Sequence, residues 1–281
     1  MTKLKGIDVS EHNGRIDWEK VKRSGIEFAV LRIGFGKNTK KQDDKFFKTN
    51  AKGCKKAGIP FGVYIYSYAN SVEKAKSEAL HTLRLIKGLS LSLPVFYDLE
   101  DEGTTGKCSN AKILKIAKEF CSYITASGYK FGVYANKYWF TTKLTDEWYN
   151  KYRWVAQYGK KCTYKGDYYM WQYSDTGRVE GIAGDVDMDY LFKPIKITKK
   201  KYSGKLPSLS KTGSLKIGDS GENVKLLQKF LNWAENENLK IDGKFGKKTE
   251  SAVKEFQRKY GLEPDGYFGP KSLKKAKEIE K

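Results

Sequence analysis

Several kinds of chemistry lack raw material in this 281-residue chain. It has two histidines, His12 and His81, and four cysteines, Cys54, Cys108, Cys121 and Cys162. The cysteines form no C-x-x-C pair and keep no metal-ligand spacing, so with so few histidines no metal site is expected. So few cysteines in so long a chain read as free thiols made in a reducing compartment, not as a disulfide framework. No apolar run approaches the ~20 residues needed to cross a bilayer, which excludes membrane insertion. The opening MTKLKGIDVS holds no apolar segment of a secretory signal. There is no G-x-S-x-G elbow, no P-loop and no H-E-x-x-H helix. Gly34-Phe-Gly36 and Gly132-Val-Tyr-Ala are too short for a dinucleotide fingerprint. No cofactor is expected.

What the chain has is charge of one sign. Lysines and arginines number 54 against 33 acids, a net +21. Residues 1–192 carry 32 bases and 22 acids, residues 193–213 carry seven lysines and no acid, and residues 214–281 carry 15 bases and 11 acids. An excess spread this way favours a polyanion, whether nucleic acid, an anionic membrane surface or an anionic bacterial wall. It also keeps a protein in solution, and charge alone does not choose among these.

The acid-free stretch KPIKITKKKYSGKLPSLSKTG is rich in Lys, Ser, Gly and Pro and has no apolar period, so it reads as an extended, self-repelling linker. The expected organisation is a domain over 1–195, a basic linker over 196–213 and a small domain over 214–281. Before the linker eight strand-like runs recur: 6–10, 28–34, 61–69, 93–100, 131–136, 153–158, 170–174 and 185–192. Helical patterns separate the early ones. In 109–127, Ile113, Ile116, Ala117, Phe120 and Ile124 make one stripe behind a Ser109 N-cap. Strand and helix in alternation imply an α/β fold with a parallel sheet, and eight strands suggest closure into a barrel with an irregular end. After the linker, Asp242-Gly-Lys-Phe-Gly-Lys-Lys-Thr249 returns as Asp265-Gly-Tyr-Phe-Gly-Pro-Lys-Ser272. Each copy is a turn running into a helix start, with glycines supplying positive φ and the Phe a core anchor. Three helices are expected there, near 221–235, 248–260 and 271–279.

The segment Leu93-Pro-Val-Phe-Tyr-Asp-Leu-Glu100 carries the chemistry. Its apolar run suits a strand buried on both faces, and Asp98 and Glu100, two residues apart at its C-terminal end, share one face. In a closed α/β barrel that end is the rim where active sites are built. Two carboxyls there repel, and partial burial raises the pKa of one, giving a general acid beside an ionised partner. Two solvated carboxylates continuing into Asp101 and Glu102 are the plainer alternative. Asp8 ends the first strand, and Asp185, Asp187 and Asp189 lie on the last. Closure would make these strands neighbours and let Asp8 face Asp187. A calcium loop starting at Asp185 would need Gly at 190 and Glu at 196, where the chain has Tyr190 and Lys196. Tyr64, Tyr66, Tyr68, Tyr134, Trp171 and Tyr173 are expected on the same rim, with Asn136 and Gln172 suited to sugar hydroxyls. Any single aromatic is as readily a core residue; a row of them beside carboxylates points to carbohydrate. His12 and His81 read as structural.

In order along the chain, GIDVSEHNGRIDW, FAVLRIGFG, GIPFGVYIYSYA, PVFYDLE, WVAQY and WQYSDTGRVEGIAGDVDMDY resemble glycoside hydrolase family 25, the Chalaropsis-type lysozymes. Residues 214–276, with the DG-x-FG-x-x-[ST] repeat, resemble the type 1 peptidoglycan-binding domain. The resemblance implies a TIM-like barrel of five β/α units plus three strands, and cleavage of the β-1,4 bond between N-acetylmuramic acid and N-acetylglucosamine. It implies Glu100 as acid/base within Asp98-Leu-Glu100, with Asp8 and Asp187 as the other catalytic acids; Asp189 stands where the family commonly has Asn. Tyr64, Tyr66, Tyr134, Trp171 and Gln172 are the expected substrate-binding residues. The implied partners are bacterial peptidoglycan and anionic wall polymers, with no nucleic acid. A wall-binding protein with an inactive barrel is the competing reading. Without an export signal, the protein is expected in a host cytoplasm before lysis and on the wall afterwards, as for a phage endolysin or an autolysin.

Overall fold

The computed structural model describes residues 3–192, 202–209, 213–235 and 239–280. The chain divides into two compact units, residues 1–197 and 198–281. In the first, strand and helix alternate: β1 (Leu4–Val9), α1 (Trp18–Arg23), β2 (Phe28–Phe35), α2 (Phe47–Ala57), β3 (Phe61–Tyr66), α3 (Val72–Ile86), β4 (Val95–Asp98), α4 (Asn110–Ala126) and β5 (Phe131–Asn136). A six-residue helix, α5 (Lys137–Thr142), follows, then β6 (Arg153–Ala156), β7 (Met170–Gly177) and β8 (Val186–Leu191). The strands close a barrel in chain order. Neighbours from β1 to β7 are parallel, while β8 runs antiparallel to both β7 and β1. The register sets Leu4 beside Leu191 at one pole and Asp8 beside Asp187 at the other.

Local signals explain the elements. The Ser71 and Ser109 side chains accept the amide N–H groups of Lys74 and Lys112, which have no helical partner at the start of α3 and α4. Ile113, Ile116, Ala117, Phe120 and Ile124 are buried as the stripe predicts. Helix α5 begins on Asn136, whose side chain accepts the Trp139 N–H.

Inside the barrel, Phe28, Phe96, Trp154, Met170 and Leu191 form an apolar floor. The floor needs glycine beside it. A Cβ on Gly6 would lie 2.3 Å from the Phe28 ring, and one on Gly132 would lie 2.7 Å from Phe96. Filled in this way the barrel is solid below and opens only at the strand C-terminal ends.

The second unit contains α6 (Glu222–Glu235), α7 (Lys247–Lys259) and α8 (Pro270–Ile279) around Val224, Leu227, Phe230, Val253 and Phe256. Phe245 and Phe268, one from each repeat, are buried in this core, and Gly243 and Gly266 take φ of 75° and 82°. Part of the expected linker differs from its prediction. Residues 193–201 and 210–212 lie outside the described residues, but 202–209 pack on this unit. Tyr202 stands 5.1 Å from the Trp233 ring and 5.5 Å from Phe230, and Pro207 is buried. A tyrosine and two leucines among lysines are enough to anchor the strap by burying apolar area.

Candidate active site

Even-numbered residues of β1–β7 and odd-numbered residues of β8 point inward, and their last inward side chains line the barrel mouth. These are Asp8 from β1, Arg32 from β2, Tyr64 and Tyr66 from β3, Asp98 from β4, Tyr134 from β5 and Gln172 from β7. Antiparallel β8 adds Asp187 and Asp189. Glu100 stands just past β4.

The two halves of the mouth differ in wiring. On the β4–β5 side, the Asn136 amide donates to Glu100 Oε2 at 2.8 Å, and the Glu100 amide lies 3.4 Å from Asp98 Oδ1. Burial raises the Glu100 pKa, opposed by the Asn136 amide and side chain. Burial also pushes Asp98 well above the usual carboxylate range, and the nearby Glu100 charge pushes it further. The Arg32 charge favours ionised Asp98. Its guanidinium is held by Glu11 and Asp44, each at 3.0 Å. The loop after Glu100 is fixed too: Tyr66 donates to Asp101 at 3.1 Å and Trp139 Nε1 to Glu102 at 2.7 Å.

On the β7–β8–β1 side, Tyr134 donates to Gln172 Oε1 at 2.9 Å, and Gln172 Nε2 donates to Asp8 Oδ2 at 2.8 Å. Trp154 Nε1 donates to Asp189 Oδ1 at 2.8 Å. Asp189 Oδ2 is buried with no N–H or hydroxyl donor, and the Asp189 and Asp8 carboxyls meet across it. Two carboxylates cannot both stay ionised there, so the pair holds a proton. Burial, the largest cause, takes Asp189 up to about 8 and Asp8 well above its ordinary value. Asp187, nearer solvent, is raised to about 6 by burial and by Asp175.

The structure thus brings Asp8, Asp98, Glu100 and Asp187 to one mouth, with Tyr64, Tyr66, Tyr134 and Gln172 around them. Tyr64 and Tyr134 pack on Trp154 at 5.8 and 4.5 Å. Trp171 is not brought there. It precedes inward-facing Gln172, so the pleat turns it to the outer wall, where its Nε1 donates to the Gln157 carbonyl at 2.7 Å. Tyr173 lies on the same outer face. His81, read as structural, has two partners: the Gly36 carbonyl at 3.0 Å and Asp43 at 2.8 Å. Two contributors went unread in the sequence. Arg32 was signalled by a lone charge in the apolar run FAVLRIGF. Glu78, buried on α3, accepts from Ser67 and the Tyr68 amide at 2.8 and 2.9 Å and so pins the turn after β3; burial raises it to about 7. Among the described residues no three metal-ligating side chains form an ion site, and no helix is long and apolar enough to cross a membrane. All four cysteines are free thiols.

Carboxyls in close company, one kept protonated beside another that can ionise, on the rim of an α/β barrel, are the equipment for breaking glycosidic bonds, and the barrel is a glycosidase. The chain belongs to glycosyl hydrolase family 25, which matches residues 7–182, and a putative peptidoglycan binding domain matches residues 220–275. The autolytic lysozyme of Clostridium acetobutylicum is 31% identical over 278 residues, covering 98% of this chain and 79% of that protein. Among solved structures, the modular autolysin of Streptococcus pneumoniae in complex with a synthetic peptidoglycan ligand aligns with a TM-score of 0.62 at 31% identity, over 68% of this chain. The match takes in 47% of that autolysin, so the chain spans about half its length. A bacterial lysozyme from Streptomyces coelicolor aligns with a TM-score of 0.59 at 26% identity, over 68% of this chain and 93% of that one. The protein is accordingly a peptidoglycan hydrolase of the lysozyme class.

Proposed function

We propose that the barrel hydrolyses the β-1,4 bond between N-acetylmuramic acid and N-acetylglucosamine with net retention, and that Glu100 is the acid/base. The observation that carries this is the wiring of Glu100: a carboxyl raised by burial, held from one side by the Asn136 amide and open to the mouth on the other. Glu100 gives its proton to the glycosidic oxygen as the C1–O bond breaks. The carbonyl oxygen of the 2-acetamido group of the same sugar attacks C1 from the opposite face, and an Asp98 carboxyl oxygen accepts the acetamide N–H. Water then gives a proton to Glu100 and adds to C1, reopening the ring with the original configuration. Asp8 and Asp187 hold the sugar from the far side, and Tyr64, Tyr66 and Tyr134 offer ring faces and hydroxyls to it. In bacteria this cleavage causes lysis.

The site assignment is tested by digesting purified walls and identifying the new reducing ends. Muramic acid ends with the β configuration in the first product are expected; glucosamine ends, or an α product, would overturn it. The second unit is proposed to bind peptidoglycan, and the basic charge to add a screened attraction to anionic wall polymers that fades beyond about 10 Å at 0.1 M salt. We propose in addition that the protein accumulates in the cytoplasm of the producing cell until lysis. Intact protein in the medium of unlysed cells would reject that.

A further inference from the structure

The connections β6–β7 and β7–β8 contain no helix, so among the described residues no helix covers the outer wall of β7 and β8. An open pocket of about 570 Å³ lies there, lined by Lys3, Tyr158, Lys160, Tyr173, Asp175 and Tyr190 together with Trp171. Tyr173 and Tyr190 stack 4.3 Å apart at 14°, and Trp171 lies 5.8 and 5.9 Å from them. The Lys3 ammonium sits 3.5 Å over the Tyr190 ring. Lys160 and Tyr158 are exposed on the loop after β6. The pocket is therefore an aromatic wall flanked by two cations and one acid.

It begins where the mouth ends. The Tyr158 hydroxyl reaches Gln172 Oε1 at 3.4 Å, and Gln172 holds Asp8. Asp175, on the pocket wall, is close enough to raise Asp187. A ligand lying across Tyr158 would touch both.

We propose that this pocket holds the peptide branch of the wall glycan, with a free carboxylate between Lys3 and Lys160 and its apolar and amide portion against Tyr173 and Tyr190. The inference rests on the muramidase reading above and names a second determinant of its substrate. The occupant follows from continuity and charge: in wall glycan the peptide hangs from the lactyl ether on the muramoyl ring, so a sugar seated at Asp8 and Asp187 delivers an anionic chain to the rim beside Tyr158. Aromatic faces and lysines suit such a chain better than a neutral sugar.

The test is steady-state kinetics of the full chain on two soluble glycans freed of phosphate polymers, one keeping its peptides and one stripped of them by an amidase. For Lys3→Glu/Lys160→Glu we expect KM on the peptide-bearing glycan to rise about tenfold, with kcat within about threefold. On the stripped glycan KM should match the parent. Lys160→Glu alone, at an exposed loop position, should give part of the same rise and guards against a folding defect. A parental KM on the peptide-bearing glycan, or an equal rise on both glycans, overturns the proposal. A rise that appears only on walls retaining their phosphate polymers overturns it in favour of a phosphate ligand. If the parent cuts neither glycan, the muramidase reading itself falls and takes this inference with it.

Discussion

The two units of this chain bury polar groups in opposite ways. In the second unit each repeat is built around one buried glutamine. Gln228 donates to Asp242, the Lys244 carbonyl and Thr249 and accepts the Gly243 amide; Gln257 does the same with Asp265, the Tyr267 carbonyl, Ser272 and the Gly266 amide. Neutral side chains with their hydrogen bonds made shape a loop at little electrostatic cost. In the barrel mouth the buried groups are carboxyls with too few donors, and their pKa values climb. Satisfied polarity makes architecture, and unsatisfied charge makes a reagent.

If that contrast is right, substitutions in the two places should separate activity from stability. The largest effect is expected from Glu100→Gln, which keeps the shape and the Asn136 contact but moves no proton. Turnover on soluble glycan should fall ~10²–10⁴-fold, with thermal stability equal to or above the parent. An active variant would move the acid elsewhere. Next comes Gln257→Leu, which strands the buried Gly266 amide and should destabilise the second unit by about 1–3 kcal/mol. Faster amide exchange along α7 and α8, with soluble-glycan turnover retained, is the readout; unchanged exchange would make the glutamine dispensable.

A smaller effect should follow Asp189→Asn. The folded Asp189 binds its proton up to about 8, whereas an unfolded aspartate releases it near 3.9. Folded protein therefore holds more protons across that window, and stability falls as pH rises from about 4 to 8. The asparagine cannot take up that proton and should flatten the decline, and melting curves across the range would show it. A slope identical to the parent's would mean the proton sits on Asp8 alone. Smallest should be Glu78→Gln. It removes a carboxyl raised to about 7, flattening a shallower decline from about 4.5 to 7 with turnover little changed. A large loss of turnover would show that the turn after β3 must be held by charge.

Much of this was legible in the sequence because it rides on periodicity. All eight strands and the pairing of Asp8 with Asp187 followed from apolar runs and closure, since neither needs side-chain detail. Trp171 was misplaced because one position along a pleat reverses the face, and the β7 bulges that follow blur the count. Arg32 and Glu78 escaped because their roles depend on partners that only the fold brings to them. The glutamines of the second unit could have been found: Val224-Lys-Leu-Leu-Gln228 and Val253-Lys-Glu-Phe-Gln257 share V-K-x-x-Q, and each precedes a D-G loop. The strap at 202–209 was hidden by its composition, since lysines drew the eye from Tyr202, Leu206 and Leu209.

Because β8 returns antiparallel to meet β1, Leu191 ends beside Leu4, at the pole opposite the carboxyls. The barrel begins and ends at one pole, away from the carboxyls. A circularly permuted barrel, with a short link joining those ends and new termini cut in an outer loop, would keep every strand neighbour it has now. The same closure makes the barrel a transferable cartridge: sequence fused before its first strand or after its last leaves from the floor, and the mouth can stay unaltered while its attachments are exchanged.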